Sequence, residues 1–284
     1  MALENKVWRI IDIINWSKDY LEKHNVDSPR LTIELMLTHV LNIERIKLYT
    51  DYDKPLSESE LSVIKSMIQQ RIKRYPLQYI LGQVEFYGSK FIVNQDVLIP
   101  RPETEELVDK VINENKINND YKILDIGTGS GCIAISLAKK FVNSTITAID
   151  NSTSALKVAK QNSIDLGVEN VKFAYADILT TEPKLKYDII VSNPPYVSNS
   201  EMNELEPELS FEPNSALTDS SDGLEFYRRF VTIFKNILSI DGVFYLELNS
   251  SLARETEKLF ASEYKIEIIR DLFDKPRILK GSLS

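Results

Sequence analysis

Lys122-Ile123-Leu124-Asp125-Ile126-Gly127-Thr128-Gly129-Ser130-Gly131 is the stretch that decides the fold. Its first half is an apolar run short enough for a buried strand. Its second half places a glycine at every other position, so the backbone can turn tightly and a ligand can come close to it. Cys132 to Phe141 then reads as a helix. The spacing is G-x-G-x-G, not the G-x-G-x-x-G of a dinucleotide site, so on its own it is weak evidence and also reads as a tight strand-to-helix turn.

Working outward, the alternation continues. Thr145-Ile146-Thr147-Ala148-Ile149 is a strand and Ser154 to Leu166 a helix. Val171 to Tyr175 and Tyr187 to Ser192 are strands, Leu224 to Leu238 a helix and Val243 to Leu248 a strand. Strands separated by helices of this length predict a parallel sheet covered on both faces. Ser198 to Ser221, rich in Asn, Ser, Glu and Pro, reads as a long loop, and a loop of that length in a compact domain is often functional. Upstream, Val84 to Val93 reads as two short strands about Gly88, and Ile99-Pro100-Arg101-Pro102 as extended chain leading into a helix from Thr104 to Val111.

The first eighty residues have another texture. Val7, Ile10, Ile11, Ile14 and Leu21 form one helical stripe, with Leu31, Leu35, Leu37 and Leu41 following. Leu61, Ile64, Ile68 and Ile72 form another. Ser28-Pro29 reads as a helix start with Ser as N-cap, Ser57 and Glu60 as a capping box, and Pro76 as a stop. The predicted organisation is a helical domain over 1–83, a β-hairpin linker over 84–99 and an α/β domain over 100–284.

Two further constellations carry chemistry. Asp150 ends the next strand, close to the ~20 residues past the glycines at which a carboxylate reaches two ribose hydroxyls. Ser192-Asn193-Pro194-Pro195-Tyr196 follows an apolar strand, where α/β sheets place their sites. The two prolines stiffen the corner. They hold two acceptors, the Asn193 side chain and the Pro194 carbonyl, in a fixed relation that suits a planar NH2 group. Tyr196 offers a ring face for that group to lie against.

Asn193-Pro194-Pro195-Tyr196 together with Asp125-x-Gly127-x-Gly129-x-Gly131 resembles the class I S-adenosylmethionine-dependent methyltransferases that act on exocyclic or side-chain amide nitrogen. Gln78 to Gly82, Phe86-Tyr87-Gly88, Val97 to Glu105, Glu212-Pro213-x-x-Ala216-Leu217, Asp222-Gly223-Leu224 and Arg270-Asp271 narrow the resemblance to the bacterial peptide chain release factor N5-glutamine methyltransferases. It spans almost the whole chain. It implies a Rossmann-like class I methyltransferase sheet with helices on both faces, joined by the hairpin to a helical bundle that docks the substrate. It also implies methylation of the glutamine N5 in the Gly-Gly-Gln motif of class-1 release factors, with S-adenosylmethionine converted to S-adenosylhomocysteine.

Carried over, Gly127, Thr128, Gly129, Ser130, Gly131 and Asp150 hold S-adenosylmethionine, and Asp177 and Ile178 contact its adenine. An aromatic is usual at Ile178. Asn193, Pro194, Pro195 and Tyr196 hold the glutamine amide, Asn193 also touches the cofactor, and Asn193, Pro194 and Tyr196 carry the catalysis. Asn249 stands where the family has Gly, so a positive φ is expected there, and Phe273-Asp274-Lys275-Pro276 replaces a smaller turn.

Composition narrows the rivals. The 284 residues carry 34 Lys plus Arg against 42 Asp plus Glu, a net charge of −8. That balance, and the lack of a basic aromatic-rich insertion, argues against the main rival, an adenine-N6 methyltransferase that must hold a nucleic-acid backbone. A glutamine methyltransferase of a ribosomal protein is the nearer rival, separated only by the match of the helical domain. A cofactor-binding regulator is the non-enzyme alternative. One Cys, Cys132, excludes an intrachain disulfide and a Cys-rich zinc site, and two His, His24 and His39, argue against a His-based metal cluster. The opening Met-Ala-Leu-Glu-Asn-Lys breaks into charge and does not read as a signal peptide. The expectation is a cytoplasmic monomer without metal, nucleic-acid partner or membrane span. Cys132 and His39 are expected to be structural, His24 a cap or surface residue, and the acidic run Glu201 to Glu212 either a solvated loop or a gate over the peptide site.

Overall fold

The computed structural model describes residues 7–284; the opening Met-Ala-Leu-Glu-Asn-Lys, and the reading placed on it, lie outside them. The chain divides into two compact units. One runs to Gly82 and also takes in Pro207–Phe211; the other comprises Gln83–Glu206 and Glu212–Ser284. The hairpin read as a separate linker clusters with the larger unit.

The smaller unit holds α1 (Ile10–Lys23), α2 (Pro29–Leu41), α3 (Lys47–Thr50), α4 (Glu58–Arg71) and α5 (Leu77–Leu81). Its core is Ile10, Ile13, Ile14 and Leu21 from α1, Ile33, Met36 and Leu37 from α2, and Ile64, Met67 and Ile68 from α4. Val7 and Leu31, expected on the apolar stripes, are exposed. The capping box forms, with Ser57 N–H donating to Glu60 Oε2 at 2.7 Å and Glu60 N–H to Ser57 Oγ at 3.3 Å. The Ser28 cap does not: Ser28 sits at φ +47°, and its hydroxyl caps nothing, because a side-chain N-cap needs an extended backbone there. His24 is the C-cap of α1, its Nδ1 2.8 Å from the Tyr20 carbonyl. His39 is exposed, against the structural role expected of it.

Pro207–Phe211 lies within the acidic run read as solvated, yet its Glu208 is held by Arg71 and Arg74, each at 2.8 Å. Phe211 packs edge-on against Tyr75 at 5.2 Å. These contacts keep the segment with the helical unit.

The larger unit begins with β1 (Gln83–Phe86) and β2 (Ser89–Ile92), an antiparallel pair turned by Tyr87 at φ +47° and Gly88 at φ +70°. Two successive positive φ values match the twist of a tight hairpin. Then follow α6 (Pro102–Glu114), β3 (Lys122–Ile126), α7 (Cys132–Lys140), β4 (Thr145–Asp150), α8 (Thr153–Asp165), β5 (Val171–Tyr175) and β6 (Tyr187–Ser192). The stretch read as one long loop holds two 3-10 turns and the short α9 (Asn214–Leu217). Beyond it come α10 (Glu225–Ile237), β7 (Leu238–Glu247), α11 (Ala253–Phe260), β8 (Tyr264–Arg270) and β9 (Pro276–Leu283).

The sheet has seven strands in the order β5-β4-β3-β6-β7-β9-β8. The first five run parallel, as expected, while β9 enters antiparallel between β7 and β8. The all-parallel expectation fails at that edge. β8 alternates charged and apolar residues, as a strand with one wet face does, and β9 carries a glycine that weakens its strand signal. Side chains alternate between two cores. Leu124, Ile126 and Ile190 face one with Phe230, Phe234, Phe244 and Phe260; Ile123, Ile189 and Val191 face the other with Leu107, Val111 and Leu137.

Phe244 lies against Gly281, its partner across β7 and β9, where a Cβ would overlap the ring. Phe234, Phe260 and Tyr264 hold that ring from its other sides, so it has nowhere to move. Gly281→Ala is expected to destabilise the protein by about 1–3 kcal/mol, the usual cost of overpacking, read from the shift of its urea unfolding midpoint.

Candidate functional site

β3 leads to β4 and β5 on one side of the sheet, while β6 leads to β7 on the other. The chain therefore departs in opposite directions from the neighbouring pair β3 and β6, leaving a crevice beyond their carboxyl ends. Asp125 pairs with Val191 and Ile126 with Ser192, so the glycine turn and Asn193 leave the sheet side by side. A cleft opens there, at the place where open α/β sheets bind their ligands.

The glycines divide their work. Gly127 and Gly129 have φ of +74° and +54°, and a Cβ on either would enter open space at the cleft they line. Gly131 does not line it; a Cβ there would lie 2.9 Å from Ile135 Cδ1 and 3.1 Å from Ala159 Cβ, so this glycine lets α7 and α8 pack closely. Gly127 and Thr128 N–H both donate to the Ile149 carbonyl, pinning the turn to β4. Thr128 is buried, its hydroxyl donating to Asp125 Oδ2 at 2.7 Å. Ser130 is buried as well, with no partner for its hydroxyl among the described residues. Of the five residues from Gly127 to Gly131 read as cofactor contacts, Thr128, Ser130 and Gly131 thus face inward. Cys132 is likewise buried, and burial pushes its thiol up to about 12, so it is inert.

Asp150 is held at the rim. Its Oδ2 accepts from Gly129 N–H and its Oδ1 from Ser152 N–H, each at 2.8 Å. Each oxygen retains further acceptor capacity, as a vicinal diol would require. Burial raises its pKa above the usual carboxylate value, opposed by those backbone N–H groups. Asp177 and Ile178 also line the cleft, and Ile178 is buried. Phe226 joins the same wall and supplies an aromatic that Ile178 lacks. Gln95 to Leu98 close another side. Neither group stands out in the sequence, although Val97-Leu98 opens a quoted motif and Phe226 follows Asp222-Gly223-Leu224.

Asn193, Pro194 and Pro195 line the cleft, whereas Tyr196 does not. The Tyr196 hydroxyl donates to Glu247 Oε1 at 3.3 Å, directing it into the protein. Gly223 backs this corner at φ +81°, and a Cβ there would stand 2.5 Å from the Tyr196 carbonyl oxygen. Behind the corner, Glu212 is buried and accepts from Ile99 N–H at 3.0 Å and from Arg101, so two distant motifs meet in one clamp. Part of the run read as solvated or gating is therefore structural. Asn249 adopts φ −70°, not the positive value expected; its side chain accepts from Ser251 N–H at 3.0 Å, a cap that glycine could not make. The positive φ in this region falls at Asp274, +62°.

The residues present fit an adenosine-bearing group. Two glycines open a cradle that a Cβ would fill, a carboxylate offers diol acceptors, and Ile178, Ala176 and Phe226 form an apolar wall.

Residues 12–82 match the family model described as PrmC N-terminal domain, and residues 117–273 match that of a methyltransferase domain. The chain is 35% identical over 280 residues to the release factor glutamine methyltransferase of Chlorobaculum tepidum, covering 94% of this chain and 95% of that one. It is 42% identical over 247 residues to the protein of the same name from Flavobacterium psychrophilum, covering 84% and 86%. A solved methyltransferase from Pyrococcus furiosus shares the fold, with a TM-score of 0.51 at 15% identity, over 79% of this chain and 98% of that one. Two domain models in the right order, and identity at this level from end to end, place the chain in the release factor glutamine methyltransferase family.

Proposed function

We propose that the protein transfers the methyl group of S-adenosylmethionine to N5 of the glutamine in the Gly-Gly-Gln motif of class-1 release factors, acting as a cytoplasmic monomer and without a metal. The helical domain, 1–83, is the surface that docks the release factor. The observation that carries the reading is the corner Asn193-Pro194-Pro195, which lines the same cleft as Gly127, Gly129 and Asp150.

When bound, S-adenosylmethionine supplies a methyl group on a sulfonium, already activated for transfer. The chain has to present the nitrogen, which is a poor nucleophile because its lone pair is delocalised into the carbonyl. Asn193 and the Pro194 carbonyl each accept one N–H of the planar amide and fix its plane. Positioning of this kind supplies up to roughly 7–11 kcal/mol in ideal cases. The same two acceptors stabilise the positive charge that grows on the nitrogen, most strongly in a water-excluded site. The alkylated amide is strongly acidic and gives up its proton without a resident base. That suits a cleft lined by neither His24 nor His39.

Asp150 takes the ribose hydroxyls, Gly127 and Gly129 let the backbone approach, and Asp177, Ile178 and Phe226 receive the adenine. Thr128, Ser130 and Gly131 shape the turn from beneath, and Tyr196 braces the corner from behind.

Asn193→Ala is expected to abolish nearly all single-turnover methyl transfer while leaving cofactor affinity within about tenfold, or 1.4 kcal/mol. Near-normal turnover would count against the assignment. Asp150→Ala is expected to weaken cofactor binding by about 1.5–3 kcal/mol, the worth of hydrogen bonds to a charged group. Calorimetry reads this directly. Because the ionised carboxylate is the binding form and burial raises its pKa, affinity in the parent protein falls as pH drops through that pKa. The variant lacks this dependence.

A further inference from the structure

Beneath the corner lies a chain of hydrogen-bonded side chains. Glu247 ends β7 and is 1% exposed. β6 and β7 pair with Ser192 opposite Leu246, so the next residues, Asn193 and Glu247, are neighbours at the ends of these strands. Thr104, in the first turn of α6 and 2% exposed, stands between them. Its hydroxyl donates to Glu247 Oε2 at 2.8 Å, and Asn193 Nδ2 is 3.1 Å from the same Thr104 oxygen.

The direction follows from counting protons. An ionised carboxylate only accepts, and a threonine hydroxyl has one proton. That proton is committed to Glu247, so Thr104 can only accept from Asn193. Asn193 must then turn its NH2 inward to Thr104, which leaves Oδ1 as the atom for a substrate N–H. The reversed amide would set two N–H groups against the substrate's own. We propose that Thr104 and Glu247 are positioning residues that select this orientation of the Asn193 amide, and that the ionised form of Glu247 is the one that does so. The inference rests on the reading of Asn193 as the glutamine-amide acceptor and deepens it.

Protonation of Glu247 undoes the selection. A protonated carboxyl can donate to Thr104, which frees the Thr104 hydroxyl to donate to Asn193 and lets the amide turn over. Burial raises the Glu247 pKa to about 7, opposed by Thr104, by Arg277 of β9 and by the Tyr196 hydroxyl, and assisted by the charge of Glu103 on α6. Tyr227 of α10 and Cys132 of α7 also sense the Glu247 charge. The competent form therefore gains population as pH rises through neutrality.

The test compares single-turnover methyl transfer to a release factor, cofactor affinity by calorimetry, and the pH profile of the rate. Thr104→Val keeps the shape and removes the relay; the rate is expected to fall at least about tenfold, with cofactor affinity within about twofold. Thr104→Ser restores the hydroxyl and is expected to recover the rate. Glu247→Gln can donate to Thr104 and does not ionise, so it is expected to be slow and to lose the acid limb seen in the parent protein. A Thr104→Val rate within about twofold of the parent overturns the proposal. So does a Thr104→Ser rate as low as that of Thr104→Val, or an acid limb that persists in Glu247→Gln. Asn193→Ala separates the two layers. If it is inactive while Thr104→Val is fast, only the relay is wrong; if it is active, the reading of Asn193 falls and the relay with it.

Discussion

The parallel pairing of β3 with β6 is the constraint on which the site depends. The register Ile126 with Ser192 sets the glycine turn and the diproline corner at the same height above the sheet. Both strands are buried through their apolar residues, and their alternating side chains serve two different cores. A slip of one residue would exchange the faces of every side chain and so is strongly opposed. The separation of the glycine turn from the diproline corner is thereby fixed by hydrophobic packing well removed from the cleft they line.

Much of this was legible from local pattern. The apolar run over Lys122–Ile126, the glycines behind it and the repeated strand-helix spacing give the five parallel strands directly, because each signal lies within a short window. The antiparallel edge was not legible. β9 inserts between β7 and β8, and nothing local in Pro276–Leu283 says that a later strand will lie inside an earlier one. Gly281 obscures it further, since the glycine is there to make room for Phe244, a residue far away in sequence.

The site shows the same boundary. Glycine spacing says that a turn forms, but not which glycine faces the cleft and which faces protein. Gly127 and Gly129 open into the cleft, while Gly131 meets Ala159, and only the packing of α8 decides that. The acidic run misled for a related reason. Glu208 and Glu212 look solvated by composition, yet Arg71 with Arg74, and Ile99 with Arg101, take them out of water. A carboxylate's surroundings lie in residues about a hundred or more positions away, beyond any window of periodicity.

Buried polar groups explain why the corner tolerates so little alternative geometry. An unpaired carboxylate in the interior is costly, so Glu247 requires donors, and Thr104 and Tyr196 are the hydroxyls that reach it. Meeting that requirement fixes three things together: the entry of α6, the inward tie of Tyr196 and, through Thr104, the Asn193 amide. Gly223 permits this by allowing the loop before α10 to close on the Tyr196 carbonyl, where any side chain would stand in the way. The prolines stiffen the backbone of the corner, but they leave the Asn193 side chain free to rotate. The buried carboxylate removes that freedom, and so completes with a hydrogen-bonded relay what ring geometry alone leaves open.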